Sequence, residues 1–270
     1  MKEAIKDYWE GRARENVTTA QATTNDVYLR ELEISAFIET LKGLGLPAGT
    51  TILDLGCGDG YTTVALADAL PQFSFTGIDY SENMIALARA RVAEKPGLAD
   101  RMSFSVGDAT NLKAACGDTI YDAVLTDRCL INLESIEDQA RAIAAIGTHT
   151  RPGGYYVAIE NFREGQDEMN RLRASVGLPE IPIRWHNLFF NEPDFKQLLE
   201  PFFEGAAFKE FSSSYYFATR VIYSAMCQMR GETPDYRHEI HQIAVKLPWF
   251  GEFSPIRMAV MRRRAPESST

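Results

Sequence analysis

The stretch TILDLGCGDG, residues 51–60, decides how this chain of 270 residues folds. Its first five residues are mostly apolar and β-favouring, which predicts a short buried strand. Three glycines at alternate positions follow, and glycine lets the backbone approach a ligand closely because it has no Cβ atom. Residues 61–70, YTTVALADAL, then have the spacing of a helix. A strand, a glycine loop and a helix N-terminus together predict a nucleotide-type binding site.

Two carboxylates restrict what this loop can bind. Asp54 lies in the strand and Asp59 lies among the glycines. A pyrophosphate prefers N–H donors and positive charge, so these acids argue against NAD, FAD or ATP. They suit a ligand with cationic groups and no phosphate, such as S-adenosylmethionine (SAM), which carries an ammonium and a sulfonium. The pattern Asp-x-Gly-x-Gly-x-Gly after a strand resembles motif I of the class I SAM-dependent methyltransferases.

Further features of the same family follow in order along the chain. Asp79 lies about 20 residues beyond the loop, the spacing at which an acid reaches ribose hydroxyls. The other features are the Gly107-Asp108 pair, Tyr121-Asp122, and Arg151-Pro152-Gly153-Gly154, which is predicted as a turn. The resemblance covers about residues 50–160, and an ordered set of this kind is far more specific than any single motif.

Alternating strand-like and helix-like segments predict a parallel sheet with right-handed crossovers. The predicted strands are 51–55, 73–78, 102–106, 121–126, 155–159, 206–212 and 256–262. With the resemblance, they imply an α/β fold: a seven-stranded, mostly parallel sheet with helices on both faces and the last strand antiparallel. We expect an N-terminal helical arm or lid at 1–45, a SAM-binding Rossmann-like core at 46–162, and the remaining strands with an α-helical, acceptor-binding cap at 163–270. Helices within this last part are predicted over 218–229 and 236–246. Together these form a single catalytic domain.

Composition excludes several classes of partner. The net charge of −9 argues against nucleic acid, because phosphate backbones are bound by basic surfaces. No apolar run is long enough to predict a membrane span, and the charged N-terminus is unlike a secretory signal. The four cysteines are widely spaced without a CxxC pair, which favours a reducing, cytoplasmic compartment over a zinc site or a disulfide framework.

The resemblance implies a cofactor site at the carboxyl ends of the strands. It assigns Asp54 and Gly56 to the methionine part, Asp79 to the ribose, and Asp108 with Ala109 to the adenine, whose faces Tyr80 and Met84 would pack. Gly58 is a further cofactor candidate, and Asp127 is the candidate for the SAM ammonium if it binds no metal. For Met84, packing of its helix is an equal alternative. Arg30 pairs either with the SAM carboxylate or, in a surface salt bridge, with Glu31 or Glu33.

Transfer of a methyl group requires the acceptor atom to be aligned with the sulfonium methyl and water to be excluded. A hydroxyl acceptor also gains from a general base. His186 is the candidate base, because it follows the fifth strand between an aromatic and an amide residue, and Glu160 is the second catalytic candidate. The expected acceptor contacts are Arg128, Asn161, Trp185 and Asn187. The remaining histidines are interpreted as structural (His149) or as one exposed helix face (His238 and His241).

An alternative to metal-free transfer places Mg²⁺ at two strand ends. Asp127 ends the fourth strand, and Glu160-Asn161 end the fifth. Catechol-type O-methyltransferases hold Mg²⁺ with an Asp and an Asp-Asn pair at these places, and Glu here replaces the second Asp. Three oxygen ligands suit Mg²⁺, which keeps its other positions for water and substrate.

The predicted function is SAM-dependent O-methylation of a hydroxyl on a small polar metabolite, such as a sugar or a natural-product intermediate. The aromatic-rich segment after residue 161 could stack on such a ring. Two alternatives stay open: transfer to nitrogen or carbon of a small molecule or peptide, and a non-catalytic protein that binds SAM or S-adenosylhomocysteine (SAH). The expected partner is a small-molecule acceptor, and both a monomer and a homodimer are compatible with the sequence.

Overall fold

A seven-stranded sheet organises the computed structural model, which describes residues 2–15 and 22–265. The strands are β1 (Thr51–Leu55), β2 (Ser74–Asp79), β3 (Met102–Val106), β4 (Tyr121–Asp127), β5 (Thr150–Asn161), β6 (Phe203–Lys209) and β7 (Ile256–Arg263). Their order across the sheet is β3-β2-β1-β4-β5-β7-β6. The first five strands run parallel, and β7 lies antiparallel between β5 and β6. The mostly parallel α/β fold expected from the sequence is confirmed.

Helices pack on both faces of this sheet. They are α1 (Lys2–Glu15), α2 (Val27–Gly43), α3 (Tyr61–Ala69), α4 (Glu82–Ala93), α5 (Leu112–Cys116), α6 (Ile136–His149), α7 (Arg163–Ser175), α8 (Glu192–Leu199), α9 (Ser213–Tyr216), α10 (Ser224–Arg230) and α11 (Ile240–Ala244), with a π-helical turn at Phe217–Tyr223. Successive strand side chains point to opposite faces. Ile52 therefore joins the core under α2, α3 and α4, whereas Leu53 joins the core under α6 and α8. None of the helices in the described ranges is long and apolar enough to cross a bilayer.

Polar side chains fix where the helices around the carboxyl edge begin. The Asp26 carboxylate accepts a hydrogen bond from the Leu29 amide at 3.1 Å and caps α2. The Ser81 hydroxyl accepts one from the Met84 amide at 3.1 Å and caps α4. Each bond satisfies an amide that the helix itself leaves unpaired. Both helix starts consequently lie in fixed positions beside the strand ends.

The helix α1 lies across the start of α4. Its Glu10 carboxylate accepts a hydrogen bond from the Glu82 amide at 3.0 Å, where a negative charge also complements the helix dipole. Ala13, Ala22 and Met84 form a small apolar cluster beneath it. These contacts place α1 over the carboxyl edge of the sheet, while its role as an arm or lid and the domain boundaries at 45 and 162 stay predictions.

Four predicted boundaries are wrong. The Arg151–Gly154 segment belongs to β5 instead of forming a turn. The pairing of β4 with β5 shifts register between Tyr121 and Ala123, and this irregularity accommodates the two glycines of the segment within the strand. The strand β6 begins at Phe203, three residues before the predicted start at 206, so Phe203 fills the core beneath it. The helix predicted over 236–246 shortens to α11, and the one predicted over 218–229 is the run from α9 through the π turn to α10.

Candidate functional site

A cavity of about 300 Å³ opens at the carboxyl ends of the strands, where polar side chains from β1, β2, β4 and β5 converge. A smaller pocket of about 60 Å³ shares Gly56, Asp79 and Tyr80 with it. Of the expected cofactor residues, the larger cavity is lined by Arg30, Asp54, Gly56, Gly58, Asp79, Tyr80, Met84 and Asp127, and the smaller pocket by Asp108 and Ala109 as well. The two spaces together bring the whole expected set to one edge of the sheet.

The glycine loop folds tightly against its surroundings. Gly56 has φ +76, and a Cβ atom there would lie 2.4 Å from the Cys129 Sγ atom. Gly58 has φ +52, and its Cβ would lie 2.6 Å from the Thr23 methyl carbon. A side chain at either position would meet both backbone strain and a clash. The loop can therefore follow this path only with glycine, and its backbone forms the floor of the cavity.

Asp79 connects this loop to the start of α4. One carboxylate oxygen accepts a hydrogen bond from the Gly58 amide and the other from the Ser81 amide, both at 2.9 Å. Burial raises the pKa of Asp79 to about 6, against the effect of these two amides. The residue lines both the cavity and the smaller pocket, so its carboxylate is placed to accept hydrogen bonds from a ribose.

Asp54 lies deeper in the same wall. Its carboxylate accepts a hydrogen bond from the Thr63 hydroxyl at 2.5 Å, and burial raises its pKa to about 7. A nearby cation would favour the ionised form of this carboxyl. That property suits the ammonium group that the resemblance assigns to this end of the site.

Arg30 is buried and faces the glycine loop. Its guanidinium lies 3.8 Å from the Asp59 carboxylate and 5.0 Å from the centre of the Tyr61 ring. The alternative of a surface salt bridge for Arg30 is therefore wrong. Asp59 is 1 % exposed and also pairs with Arg91 at 3.0 Å, so this acid of the loop holds two arginines. Arg30 remains the candidate for the SAM carboxylate.

The Tyr80 hydroxyl in this wall is buried and has no hydrogen-bond partner among the described residues. The Oδ1 atom of Asp127 is buried too and lies 3.6 Å from the Arg128 Nε atom. A buried polar group left in this way costs free energy unless something else pairs with it. The acidic lining, the unpaired Tyr80 hydroxyl and the glycine floor all suit a cationic nucleoside without phosphate. The residues present therefore fit SAM.

Arg128 and Glu33 form a buried ion pair beside this region. The Arg128 Nε atom lies 2.9 Å from the Glu33 carboxylate and 3.6 Å from that of Asp127. Arg128 has φ +50, a conformation that is uncommon for residues other than glycine. Burial raises the pKa of Glu33 to about 8, against the effect of Arg128. Arg128 lines the cavity as expected of an acceptor contact, but its charge is already shared between two acids.

His186 lies on the acceptor side of the cavity and is 5 % exposed. Its ring stacks on Tyr8 of α1 with a centroid distance of 4.6 Å, and Trp9 meets it edge-on at 5.8 Å. The Nδ1 atom is buried and has no hydrogen-bond partner among the described residues. Burial, together with the nearby charge of Arg184, lowers the pKa of His186. The imidazole is therefore neutral at physiological pH and carries an unused nitrogen.

Asn161 and Asn187 also line the cavity, and Trp185 does not. The Asn161 Oδ1 atom is buried without a partner in the described structure. Trp185 is 60 % exposed and lies edge-on to His186 at 5.2 Å, outside the lining. The expected acceptor contact through Trp185 is contradicted, because the irregular segment turns His186 inward and its neighbour toward solvent.

Glu160 has a structural position instead of a catalytic one. It is fully buried, is absent from the cavity wall, and its two oxygen atoms accept hydrogen bonds from the Leu130 and Ile131 amides at 3.0 and 3.3 Å. The carboxylate therefore anchors the turn after β4. Because both oxygen atoms of Glu160 are used in this way, the set Asp127, Glu160 and Asn161 is not arranged to share one Mg²⁺.

Two other histidines differ in their environments. His149 bonds to the Ala145 and Gly117 carbonyl oxygen atoms at 2.8 and 3.1 Å, a structural arrangement. The exposed position predicted for His238 is confirmed, but the one predicted for His241 is wrong, because His241 is 2 % exposed and its Nδ1 atom lies 2.6 Å from the Tyr215 hydroxyl. The partner of His241 comes from α9, which the helix spacing around His241 does not reveal.

Several lining residues were missed from the sequence. They are Tyr8, Trp9, Arg12, Asp26, Gln166, Tyr216 and Arg220. Tyr8 and Trp9 are conspicuous as the only large aromatic residues before Tyr28, which was a signal for a buried contact. Arg220 follows the aromatic run Tyr215-Tyr216-Phe217, but no local pattern indicates which way it faces.

Comparison with known proteins places the core of this chain in one family. Residues 52–154 match the family model of the methyltransferase domain. The demethylmenaquinone methyltransferase of Shouchella clausii is 32 % identical over 123 residues, which are 45 % of this chain and 49 % of that protein. The corresponding protein of Staphylococcus aureus is 32 % identical over 121 residues, 44 % of this chain and 46 % of that one. The chain thus spans about half the length of these curated relatives.

Solved structures extend the likeness of the fold to nearly the whole chain. Magnesium protoporphyrin IX methyltransferase from Synechocystis PCC 6803 with bound SAH has a TM-score of 0.62 and 16 % identity, covering 98 % of this chain and 100 % of that one. The cyclase SpnF has a TM-score of 0.55 and 23 % identity over 86 % of this chain and 81 % of that one. With the sheet order, these matches show that residues 52–154 are similar to the methyltransferase domain and that nearly the whole chain has the fold of the SAH-bound methyltransferase structure.

Proposed function

We propose that this chain catalyses SAM-dependent methylation of a hydroxyl group on a small polar metabolite, such as a sugar or a natural-product intermediate. The observation that supports a hydroxyl acceptor is the Nδ1 atom of His186, buried, unpaired and part of the same cavity wall as Asp54 and Asp79. A neutral imidazole at that place can accept the proton that a hydroxyl must lose.

Each side chain has a limited task in this proposal. Bound SAM would supply an electrophilic methyl group on its sulfonium. Asp79 would accept hydrogen bonds from the ribose. Asp54 and Asp127 would contact the ammonium, and Arg30 would pair with the carboxylate. Asp108 and Ala109 would flank the adenine. His186 would hold the acceptor proton at Nδ1, and Tyr8 and Trp9 would keep water from that nitrogen. Alignment and exclusion of water are the main requirements of this chemistry.

The remaining lining supports a small acceptor with a flat or apolar side and several polar groups. Phe189, Ile181 and Met169 offer apolar surface, while Gln166 and Asn187 offer amides. Aromatic and aliphatic walls of this kind can stack on sugar or aryl rings, and amides orient hydroxyls. The acceptors named for the relatives, demethylmenaquinone and magnesium protoporphyrin IX, are not transferred, because the first match spans half of each relative and the second is a likeness of fold.

Nucleic acid and membranes are not part of the proposal. The net charge of −9 disfavours phosphate backbones. A cytoplasmic location is inferred from four unpaired cysteines, two of which are buried, because thiols persist in reducing compartments.

Two alternatives differ in measurable ways. Transfer to nitrogen or carbon would place the new methyl group elsewhere on the product. A protein that binds SAM or SAH without transferring a methyl group would give no methylated product, and the cyclase with this fold shows that the fold also serves other chemistry.

The test is calorimetry with SAH, followed by mass spectrometry of a panel of hydroxylated sugars and phenols incubated with protein and SAM. We expect binding of SAH and a product with a methyl ether. Absence of SAH binding would refute the whole proposal. Methylation only at nitrogen or carbon would refute the hydroxyl acceptor and leave the methyltransferase assignment in place.

A further inference from the structure

Arg220 is a cavity residue that the proposed transfer of a methyl group does not use. It lies in the π-helical turn Phe217–Tyr223, and such turns are frequent at functional sites. Its guanidinium carbon is 4.9 Å from the centre of the Tyr236 ring and 5.4 Å from that of Tyr216. Both tyrosines line the cavity too, so the cation is held between two aromatic faces at its wall.

A buried network fixes the orientation of this arginine. Its Nη2 atom donates to the Asp26 carboxylate, and its Nη1 atom donates to the Thr219 hydroxyl at 3.0 Å. Asp26 also accepts from the Tyr215 hydroxyl at 2.5 Å and from the Leu29 amide at 3.1 Å. The carboxylate thus distributes its charge over three donors. A guanidinium has five N–H groups, and the described residues accept from its two terminal nitrogen atoms only.

The positive charge of Arg220 is separate from that of Arg30, which faces the glycine loop. The ionised groups that act on Arg30 are Asp59, Arg128, Asp127 and Glu33. The ionised group that pairs with Arg220 is Asp26, and the neutral rings of Tyr236 and Tyr216 face its guanidinium. The two arginines therefore have different immediate partners, and the donor carboxylate expected beside Arg30 leaves Arg220 for the acceptor.

We propose that Arg220 binds a carboxylate group of the methyl acceptor, held apart from the hydroxyl that is methylated. This proposal rests on the proposed function and names the chemical class of its substrate, a hydroxylated carboxylic acid. Asp26 and Tyr215 are positioning residues that hold the guanidinium fork. A carboxylate fits better than a doubly charged phosphate, because Asp26 already offsets part of the single positive charge of Arg220. Arg184 is exposed and lines the same cavity, so it adds positive charge there.

The test compares matched acids and amides as ligands of the protein saturated with SAH. The first pair of probes is 4-hydroxybenzoate and 4-hydroxybenzamide, and the second is glucuronate and glucuronamide. The affinity of each probe is measured by ligand-observed NMR titration. We expect at least one acid to bind about tenfold more tightly than its amide, as one charge-assisted hydrogen-bonded pair implies. In Arg220→Gln this preference should fall to less than about threefold, with SAH affinity unchanged.

Further variants separate recognition from folding. Arg220→Gln leaves Asp26 without its partner, so the double variant Arg220→Gln with Asp26→Asn removes both charges and should fold while still lacking the preference. Asp26→Asn alone keeps the cap of α2 and removes the competing carboxylate, so it should tighten binding of the acid. The control is Arg171→Gln, because Arg171 is 74 % exposed and pairs with Glu168 on the surface of α7.

Three results would overturn the inference. They are equal binding of acid and amide by the wild type, a preference that persists in both Arg220 variants, and weakened SAH binding as the main effect of Arg220→Gln. The last result would assign Arg220 to the donor instead. Failure of the wild type to bind SAH is a different outcome, because it refutes the proposed function itself, and this inference with it.

Discussion

The imidazole of His186 stacks on the phenol ring of Tyr8, with ring centroids 4.6 Å apart and planes inclined by 26°. Tyr8 belongs to α1 and His186 to the segment that precedes α8, so the two residues are far apart in the sequence. The N-terminal helix therefore forms part of the environment of the candidate base. Its contact with His186 contributes to the burial that keeps the imidazole neutral.

Replacing His186 by Asn should remove most of the catalysis and little of the cofactor binding. A positioned general base contributes about 10²–10⁴-fold to a rate. We expect kcat to fall within that range while the Kd for SAH changes by less than about threefold. Steady-state kinetics and calorimetry measure the two quantities. The control is His238→Gln, an exposed histidine, and full turnover in His186→Asn would exclude this residue as the base.

Replacing Tyr8 by Ala should change the pH dependence of turnover. The neutral imidazole is the active base, and its pKa is lowered, so kcat should decline only at acidic pH, below the ordinary value of about 6.5. Removing Tyr8 admits water to His186. This water hydrates the imidazolium and so stabilises the protonated form. The pKa then rises, and the acidic limb of the kcat profile should move to higher pH. An unchanged limb would mean that α1 does not cover the base during turnover.

Replacing Asp79 by Asn should weaken binding of SAH about 10- to 100-fold, since hydrogen bonds to a charged acceptor are worth about 1.5–3 kcal/mol. The pKa of Asp79 is about 6, and only the ionised form has four acceptor positions for the ribose and the two amides. Affinity of the wild type should therefore decline as pH falls through 6, and that of the variant should not. Calorimetry at a series of pH values measures this, with the exposed Asp100→Asn as control.

The sequence permitted the sheet and most of the donor site to be predicted, because both depend on local pattern. A short apolar strand that ends in an acid places that acid at the carboxyl edge, which is true of Asp79 and Asp127. The spacing of such strands along the chain then places their carboxyl ends side by side in the sheet. This arrangement does not depend on which acceptor is bound. Asp54 and the glycine loop follow the same logic.

The acceptor side could not be predicted in this way. His186 and Trp185 are neighbours in a segment without regular structure, so no period indicates which of them turns inward. Glu160 has the position expected of a catalytic acid, but the amides that occupy it come from a turn about 30 residues earlier in the chain. Arg220 and Asp26 lie 194 residues apart. Contacts of this kind are determined by tertiary packing, which a single sequence does not display.

Replacing Gly56 by Ala should destabilise the protein more than the same change at Gly45. Both glycines have positive φ, +76 and +64, which costs an alanine about 1–2 kcal/mol. A Cβ at Gly56 would also lie 2.4 Å from Cys129 Sγ, whereas nothing lies within 4 Å at Gly45. Overpacking adds about 1–3 kcal/mol. Urea denaturation gives the free energies of unfolding, and equal losses in the two variants would show that Cys129 moves aside.

Replacing Glu160 by Gln should reduce stability and leave the chemistry intact. The Leu130 and Ile131 amides donate to the two oxygen atoms of Glu160, and in the variant one of these amides would lose its acceptor. This loss should lower the free energy of unfolding by about 1–3 kcal/mol. The kcat of the folded protein should stay within about threefold of the wild type, whereas loss of a catalytic group would lower it by about a hundredfold or more.

The cost of Glu160→Gln should also depend on pH. Burial raises the pKa of Glu160 from 4.5 to about 7 in the folded protein. The unfolded chain ionises first as pH rises, so the wild type loses stability from this group between about pH 4.5 and 7, by at most about 3 kcal/mol. Gln does not titrate, so the advantage of the wild type over the variant should be largest near pH 5 and should shrink toward pH 8. Denaturation at both pH values, with the exposed Glu137→Gln as control, measures the difference, and a constant gap would show that Glu160 is ionised throughout.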